Sequence, residues 1–297
     1  MSYPNILQKK KIVVRSMAGI KSEVFWRANF LLTALGVRKK GFYTPYSYLN
    51  AMASAAQPFP EVFDLFDKFG SAFKQFLTVM DSHEEFYINT HKGVINPNWS
   101  SSFLSRLDGA SIYSFVAHFK PDQIIEIGSG NSTVFMTRAI VDHGLNTKMT
   151  CIDPQPRIAI DALPVQIVRR ALSIDDVARV SSLRAGDILF VDSSHILQPN
   201  FDVDIILNRI FPRLRPGVFV HFHDIFLPYP YPSSWKKYHF NEQNGLISWL
   251  LTDKVEPVFA SHYVWREMPI DLNAICKKFP LNTAANGGSL WLKIKAR

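Results

Sequence analysis

The stretch I-I-E-I-G-S-G-N-S-T, Ile124 to Thr133, decides how this chain is read. An apolar run holding one acid ends in two glycines one residue apart, the form of a strand leading into a nucleotide-binding turn. A dinucleotide fingerprint needs a third glycine three residues on, so that the following helix can approach the strand while its N-terminus cradles a pyrophosphate. Here the positions are Gly128, Gly130 and Thr133. The turn survives and the third glycine does not. Glu126, two residues before the turn, is a poor neighbour for a diphosphate and a good one for an ammonium group or a hydroxyl.

Working outward, the next apolar run, Met149–Asp153, ends in an acid 23 residues after Gly130. That is where an acidic residue reaches the paired hydroxyls of an adenosine ribose. A ligand with an adenosine end and a cationic amino-acid end suits both acids, and S-adenosylmethionine has this form.

Beyond that point short apolar runs alternate with helical stretches, the signature of a parallel sheet wrapped by helices. Strands are expected at 123–127, 149–153, 165–168, 187–192 and 218–224, with two more at 255–260 and 288–294. Helices are expected at 105–119, 133–144, 201–214 and 245–251. The fold class is therefore α/β: a doubly wound, mostly parallel seven-stranded sheet, preceded by a mainly helical N-terminal extension. The boundary is set at 96/97, giving a basic extension 1–96 and a cofactor-binding domain 97–297.

The segments E-I-G-S-G-N-S-T (126–133), C-I-D-P (151–154), D-I-L-F-V-D-S-S-H (187–195) and R-L-R-P-G-V-F-V-H-F-H-D-I-F (213–226) together resemble class I S-adenosylmethionine-dependent methyltransferases. They are most similar to the bacterial branch with Asp-Ser-Ser-His after the fourth strand and His-Asp after the fifth, O-methyltransferases of sugars and natural products. F-L-P-Y-P-Y-P-S-S-W (226–235), F-N-E-Q-N-G-L (240–246) and G-G-S-L-W-L-K-I (287–294) fit the same pattern. The resemblance implies that Glu126, Gly128, Gly130, Ser132 and Thr133 line the methionine end of the cofactor, that Asp153 holds the ribose, and that 171–173 lies near the adenine. It also implies a role for Asp192 at the cofactor, and catalysis by Asp192, His195, His223 and Asp224.

His195 is read as a base for the acceptor hydroxyl, since an imidazole titrates near neutrality, or as a residue that fixes its loop. Alternation along the fifth strand puts His221 and His223 on one face and Asp224 on the other while the strand lasts. Related metal-dependent O-methyltransferases implicate one carboxylate after strand four and an adjacent pair after strand five, here Asp192, His223 and Asp224. A histidine at the middle position departs from the oxygen ligands magnesium prefers and suits zinc, iron or nickel. Metal binding and substrate positioning both stand as readings of this trio. The Tyr- and Pro-rich 226–235 is read as an acceptor-binding lid or as packing against the N-terminal helices.

Composition narrows the remaining classes. With 47% hydrophobic and 20% charged residues the 297-residue chain reads as globular. Two cysteines, Cys151 and Cys276, make no disulfide framework and no zinc cluster. A net charge of +8 favours anionic partners. Much of it lies in Lys9–Arg15 and Gly36–Gly41, flanking a helical spacing through Met17, Ile20, Val24, Leu31 and Leu35. That helix either packs on the catalytic body or contacts anionic lipid. Phe63, Phe66, Phe73 and Phe76 recur as a core stripe. No nucleic-acid motif accompanies the charge, and no run is long enough to span a bilayer. The expectation is a cytoplasmic enzyme, with peripheral membrane contact through its basic helix, acting on a small-molecule or glycan acceptor. A nicotinamide-dependent oxidoreductase, disfavoured by Thr133, and a non-catalytic membrane-associated module are the alternatives.

Overall fold

A computed structural model describes residues 17–37, 57–281 and 286–296. The basic run at 9–15 and the turn-rich stretch expected at 43–48 lie outside the described residues. The chain divides into two units: Met1–Ala56 with Ser234–Tyr238, and Gln57–Ser233 with His239–Arg297. In the first, the helix expected near Met17 forms as α1 (Met17–Ala34). No helix among the described residues is long and apolar enough to cross a membrane.

The second unit carries the site. It opens with α2 (Pro60–Lys68), α3 (Gly70–Asp81) and α4 (Glu84–Asn89), which belong to the same body as the sheet, so the division falls at 56/57 rather than at the expected 96/97. The reason is the aromatic stripe. Phe66, Phe73 and Phe76 are buried, and Phe76 meets Phe259 with ring centroids 4.9 Å apart. A helix pair with such a face has no stable existence away from the core that covers it.

Next comes α5 (Arg106–Phe119). Ser105 caps it, its hydroxyl accepting from Asp108 N–H at 3.1 Å and donating to Asp108 Oδ2 at 2.8 Å. Every residue from Arg106 to Ala117 is buried, and Phe115 stacks on Trp291 at 3.7 Å. Lys120 ends the helix in the left-handed region just before Pro121.

Then the alternation begins: β1 (Gln123–Ile127), α6 (Asn131–Asp142), β2 (Lys148–Ile152), β3 (Gln166–Val168), α7 (Val177–Val180), β4 (Ile188–Val191), α8 (Asp202–Ile205), β5 (Phe219–Phe222), α9 (Glu242–Leu250), β6 (Val255–Ala260), α10 (Ser261–Glu267), α11 (Pro269–Cys276) and β7 (Leu290–Ile294). The seven strands lie in the order β3-β2-β1-β4-β5-β7-β6. All pairs are parallel except those of β7, which runs antiparallel to β5 and β6. Strand order reverses beside β1, so the loops after β1 and β4 diverge and leave a crevice at the carboxyl edge.

The helix expected at 201–214 is not uniform: α8 gives way to a π turn over Ile206–Ile210 and a 3₁₀ turn over Phe211–Arg213. Pro212 has no N–H to close a regular helical bond, and the ladder changes register around it.

Candidate active site

The loop after β1 is held from below. Glu126 is fully buried, and its carboxylate accepts from Ser132 Oγ (2.7 Å), Thr133 Oγ1 (2.6 Å) and Cys151 Sγ (3.3 Å). Thr133 in turn accepts from Gly130 N–H at 3.1 Å. Burial outweighs the three donors and pushes the Glu126 carboxyl up to about 7. Glu126 and Thr133 thus tie β1 to the first turn of α6 from inside, while Gly128, Gly130 and Ser132 line the cavity above.

Asp153, at the end of β2, accepts from Ser129 N–H and Gln155 N–H, both at 2.6 Å. One bond to each oxygen leaves lone pairs for a ligand's hydroxyls. The cavity between these loops holds about 640 Å³ and is lined further by Ala171, Leu172, Asp192 and the segment Asn98–Leu104. That segment lies along the cavity as a strap: Asn98 N–H donates to Asn131 Oδ1 at 3.0 Å, Asn131 Nδ2 donates back to Asn98 O at 2.8 Å, and Arg157 sits 5.0 Å from the Phe103 ring. The buried hydroxyls of Ser129 and Ser193 have no partner, as expected of a cleft made for a polar ligand.

Asp192 connects this cavity to a cluster of acids and imidazoles. Its Oδ1 lies 3.5 Å from His195 Nε2 and 3.6 Å from His223 Nδ1. Asp224 stands opposite, Oδ2 3.4 Å from His195 Nε2 and Oδ1 3.5 Å from His223 Nδ1. Strand alternation had placed Asp224 on the face away from His223. Instead β5 ends at Phe222, and Asp224, at φ 57°, turns its carboxylate back to the histidine side. His195 is also left-handed, at φ 60°. Two such residues in one cluster mark a site whose surroundings hold them in sparsely populated conformations.

Each imidazole is backed by a further buried carboxylate for which the sequence reading had assigned no role. His195 Nδ1–H donates to Glu242 Oε2 at 2.9 Å, and Glu242, first residue of α9, is fully buried. His223 Nε2 faces Asp108 Oδ2 at 3.5 Å. A local signal existed for one of them, the Ser-x-x-Asp cap at 105–108; for Glu242 there was only its place within F-N-E-Q-N-G-L. Burial disfavours charge on both histidines, yet the carboxylates around them win: His195 is pushed up to about 10 and His223 is raised well above its ordinary value. At neutral pH His195 therefore starts as an imidazolium held between carboxylates, not as the free base expected of it. Burial acts on both aspartates too, but the imidazoles hold Asp192 well below the usual range, whereas Asp224 is raised. His221 stays apart, stacked on Phe190 at 3.9 Å and bonded to Ser289 Oγ at 2.9 Å as a core histidine.

One donor atom each from Asp192, His223 and Asp224 lies within 4.8 Å of the others. Asp192 Oδ1 and His223 Nδ1 are buried without a hydrogen-bond partner, their 3.6 Å separation being too long for one. Two carboxylates and an imidazole with orphaned donors form a set that fits a divalent cation with mixed nitrogen and oxygen preference.

The loop from Phe226 packs beside this cluster, and α9 fixes it. Gln243 Oε1 accepts from Phe226 N–H at 3.0 Å while its Nε2 donates to Tyr229 O at 3.1 Å. Asn241 Oδ1 accepts from Leu197 N–H at 2.6 Å. Three successive side chains, Asn241, Glu242 and Gln243, thus hold the loop after His195, His195 itself and the loop after Asp224.

Residues 125–225 match the family model for a methyltransferase domain. The match runs from β1 through Asp224 plus one residue, and so spans the glycine loop, Asp153 and the acid–imidazole cluster. The seven-stranded, mostly parallel sheet is likewise the doubly wound α/β architecture expected from the sequence. Among solved structures, the chain is similar to the O-methyltransferase TomG from Streptomyces achromogenes in complex with SAM, at 16% identity over 72% of this chain and 89% of that one, TM-score 0.38. It is also similar to cofactor-bound Rv0187 from MTB (12% identity, 82% and 100%, TM-score 0.42) and to the SAH-bound Podospora anserina methyltransferase PaMTH1 (13%, 82% and 100%, 0.40). No curated protein matches the chain.

Proposed function

We propose that this methyltransferase domain moves a methyl group from S-adenosylmethionine to a hydroxyl of a small molecule or glycan. The observation that carries the reading is the continuity at Asp192: one residue lines the 640 Å³ cavity beside the glycine loop and also borders the His195–His223–Asp224 cluster. A donor in the cavity and a hydroxyl at the cluster would meet across it.

Transfer of a methyl group from sulfonium to oxygen is an in-line displacement in which the donor's charge disappears, so alignment supplies much of the acceleration, about 7–11 kcal/mol for well-placed reactants. The protein's own tasks are to hold the donor, orient the acceptor and accept a proton. In this reading Asp153 takes the ribose hydroxyls, and Gly130 leaves room for the donor's amino-acid end. Environments that drive two carboxylates apart assign their roles: Asp192 stays ionised, and Asp224, raised by burial, takes up the acceptor's proton. A divalent cation bound by Asp192, His223 and Asp224 would add acidification of the hydroxyl.

Titration calorimetry with S-adenosylmethionine and its demethylated product tests the donor. Micromolar binding is expected, with NAD giving none; heat from NAD alone would move the chain to the oxidoreductase reading. The contact of α1 with anionic lipid remains a separate proposal, supported by the exposure of Val24, Phe25, Leu31 and Leu35, and co-sedimentation with anionic vesicles decides it.

A further inference from the structure

We infer that Asp108 is a positioning residue for a metal centre: it holds the Nε2–H of His223, so that Nδ1 faces Asp192 and Asp224 and the site takes a nitrogen-accepting cation such as zinc or iron(II) in preference to magnesium. The inference deepens the reading of Asp192, His223 and Asp224 as the reaction site, but it stands on atoms the methyl donor does not touch.

Asp108 is 2% exposed and fixed on every side. Its Oδ1 accepts from Ser261 Oγ (2.7 Å), Ser289 N–H (3.0 Å) and Gly288 N–H (3.1 Å); its Oδ2 accepts from Ser105 Oγ at 2.8 Å. These bonds anchor the carboxylate to α5, α10 and the start of β7, three elements outside the loops that carry the cluster. Oδ2 also accepts from Gly288 N–H at 3.0 Å, and beyond these bonds it faces His223 Nε2 at 3.5 Å, a nitrogen that, like Nδ1, is buried without a hydrogen-bond partner. With Nδ1 given to a cation, Nε2 is the nitrogen left to carry hydrogen, and the Asp108 carboxylate beside it is placed to accept. Nδ1 itself lies between Asp192 Oδ1 at 3.6 Å and Asp224 Oδ1 at 3.5 Å.

Those separations are long for hydrogen bonds, but ligands about 2.1 Å from a tetrahedral zinc lie about 3.4 Å from one another. A carboxylate behind an imidazole that offers its other nitrogen is also the usual support of a metal-bound histidine, fixing its tautomer and raising its basicity. The imidazole then sets the choice of ion. Magnesium seeks oxygen ligands in a regular octahedron, whereas zinc and iron(II) take nitrogen readily.

The full chain, stripped with chelator and without S-adenosylmethionine, is titrated by calorimetry with zinc chloride and separately with magnesium chloride. Zinc is expected to bind at least 100-fold more tightly, with one equivalent at saturation. In zinc-loaded protein labelled with ¹⁵N-histidine, His223, assigned by its loss in His223→Gln, should show a metal-shifted Nδ1 and a protonated Nε2. Asp108→Asn should weaken zinc about 10–100-fold. Ser261→Ala removes another partner of the same carboxylate without touching His223, and should change zinc affinity less than threefold. Equal affinity for the two ions, coordination through Nε2, or unchanged zinc binding in a folded Asp108→Asn would each overturn the inference. Should Asp108→Asn fail to fold, the ¹⁵N spectrum of the wild-type protein still decides it. Because no methyl donor is present, a negative result here leaves donor binding a separate question.

Discussion

The carbonyl oxygen of Asp192 lies 1.9 Å from where a Cβ on Gly128 would stand. Gly128 also has φ +80°, so two independent constraints exclude a side chain at the point where β1 and β4 deliver their loops to the site. Gly130, two residues on, is extended, and the nearest atom to its imagined Cβ is 3.8 Å away. The paired glycines therefore have different reasons to be glycine.

Gly128→Ala should be destabilised by more than about 3 kcal/mol, since a left-handed backbone alone costs about 1–3 kcal/mol and the clash is with backbone that cannot swing aside. Gly130→Ala should melt within a few degrees of wild type and yet bind S-adenosylmethionine at least tenfold more weakly, because the methyl group enters the cavity. Thermal melts and calorimetry on the two variants check both halves.

Glu126 gives a pH signature. The folded chain holds its proton to about pH 7, while the unfolded chain releases it near the ordinary 4.5. Unfolding in that window releases a proton, so this group's contribution to stability falls as pH rises from about 4.5 to 7, by an amount on the order of a few kcal/mol. Glu126→Gln lacks the titration. It should be less stable than wild type at pH 5, where its amide misaligns the hydroxyl donors, and the gap should narrow or reverse by pH 7.5. Urea midpoints at several pH values measure this; a constant gap would refute it.

At its Asn98 end, the strap over the cavity is tied down by the side chain of Asn131. Asn131→Ala removes both of its bonds with Asn98. Two such bonds contribute about 1–2 kcal/mol, and the variant should release S-adenosylmethionine about tenfold faster in stopped-flow displacement with little change in melting temperature.

At the reaction cluster, Asp224→Asn should lower kcat by at least 100-fold while leaving the donor's Kd within threefold, because Asp224 does not line the donor cavity. Asp192→Asn should affect both, since Asp192 borders both. Steady-state kinetics with any accepted hydroxyl compound, paired with calorimetry, separates the two patterns.

Much of this was legible in the order of residues. All seven strands were, because each is written as a short, mostly apolar run that needs no partner to be recognised. The places of Asp153, Asp192, His223 and Asp224 just after β2, β4 and β5 were legible because each closes an apolar run. Asp108 and Glu242 were not. They reach the cluster from α5 and α9, by packing across the sheet edge, and nothing local marks a helical acid as one that will face a histidine 115 or 47 positions away. The return of Asp224 toward His223 was likewise hidden, because a positive φ at a non-glycine residue is imposed by its surroundings rather than by its own preference. That α2 and α3 pack into the same body as the sheet was hidden for a similar reason: their aromatic face closes against β6, α10 and α5, which lie far along the chain.

The row Asn241–Glu242–Gln243 bears on any attempt to retool this domain. Because neighbouring side chains restrain the segments on either side of the reacting centre, the acceptor-facing loop is not a detachable module. A graft of residues 226–231 from a different protein would arrive without its amide clasp, and the disturbance would pass through Glu242 to His195. Changing acceptor choice here means exchanging the loop and the opening turn of α9 together.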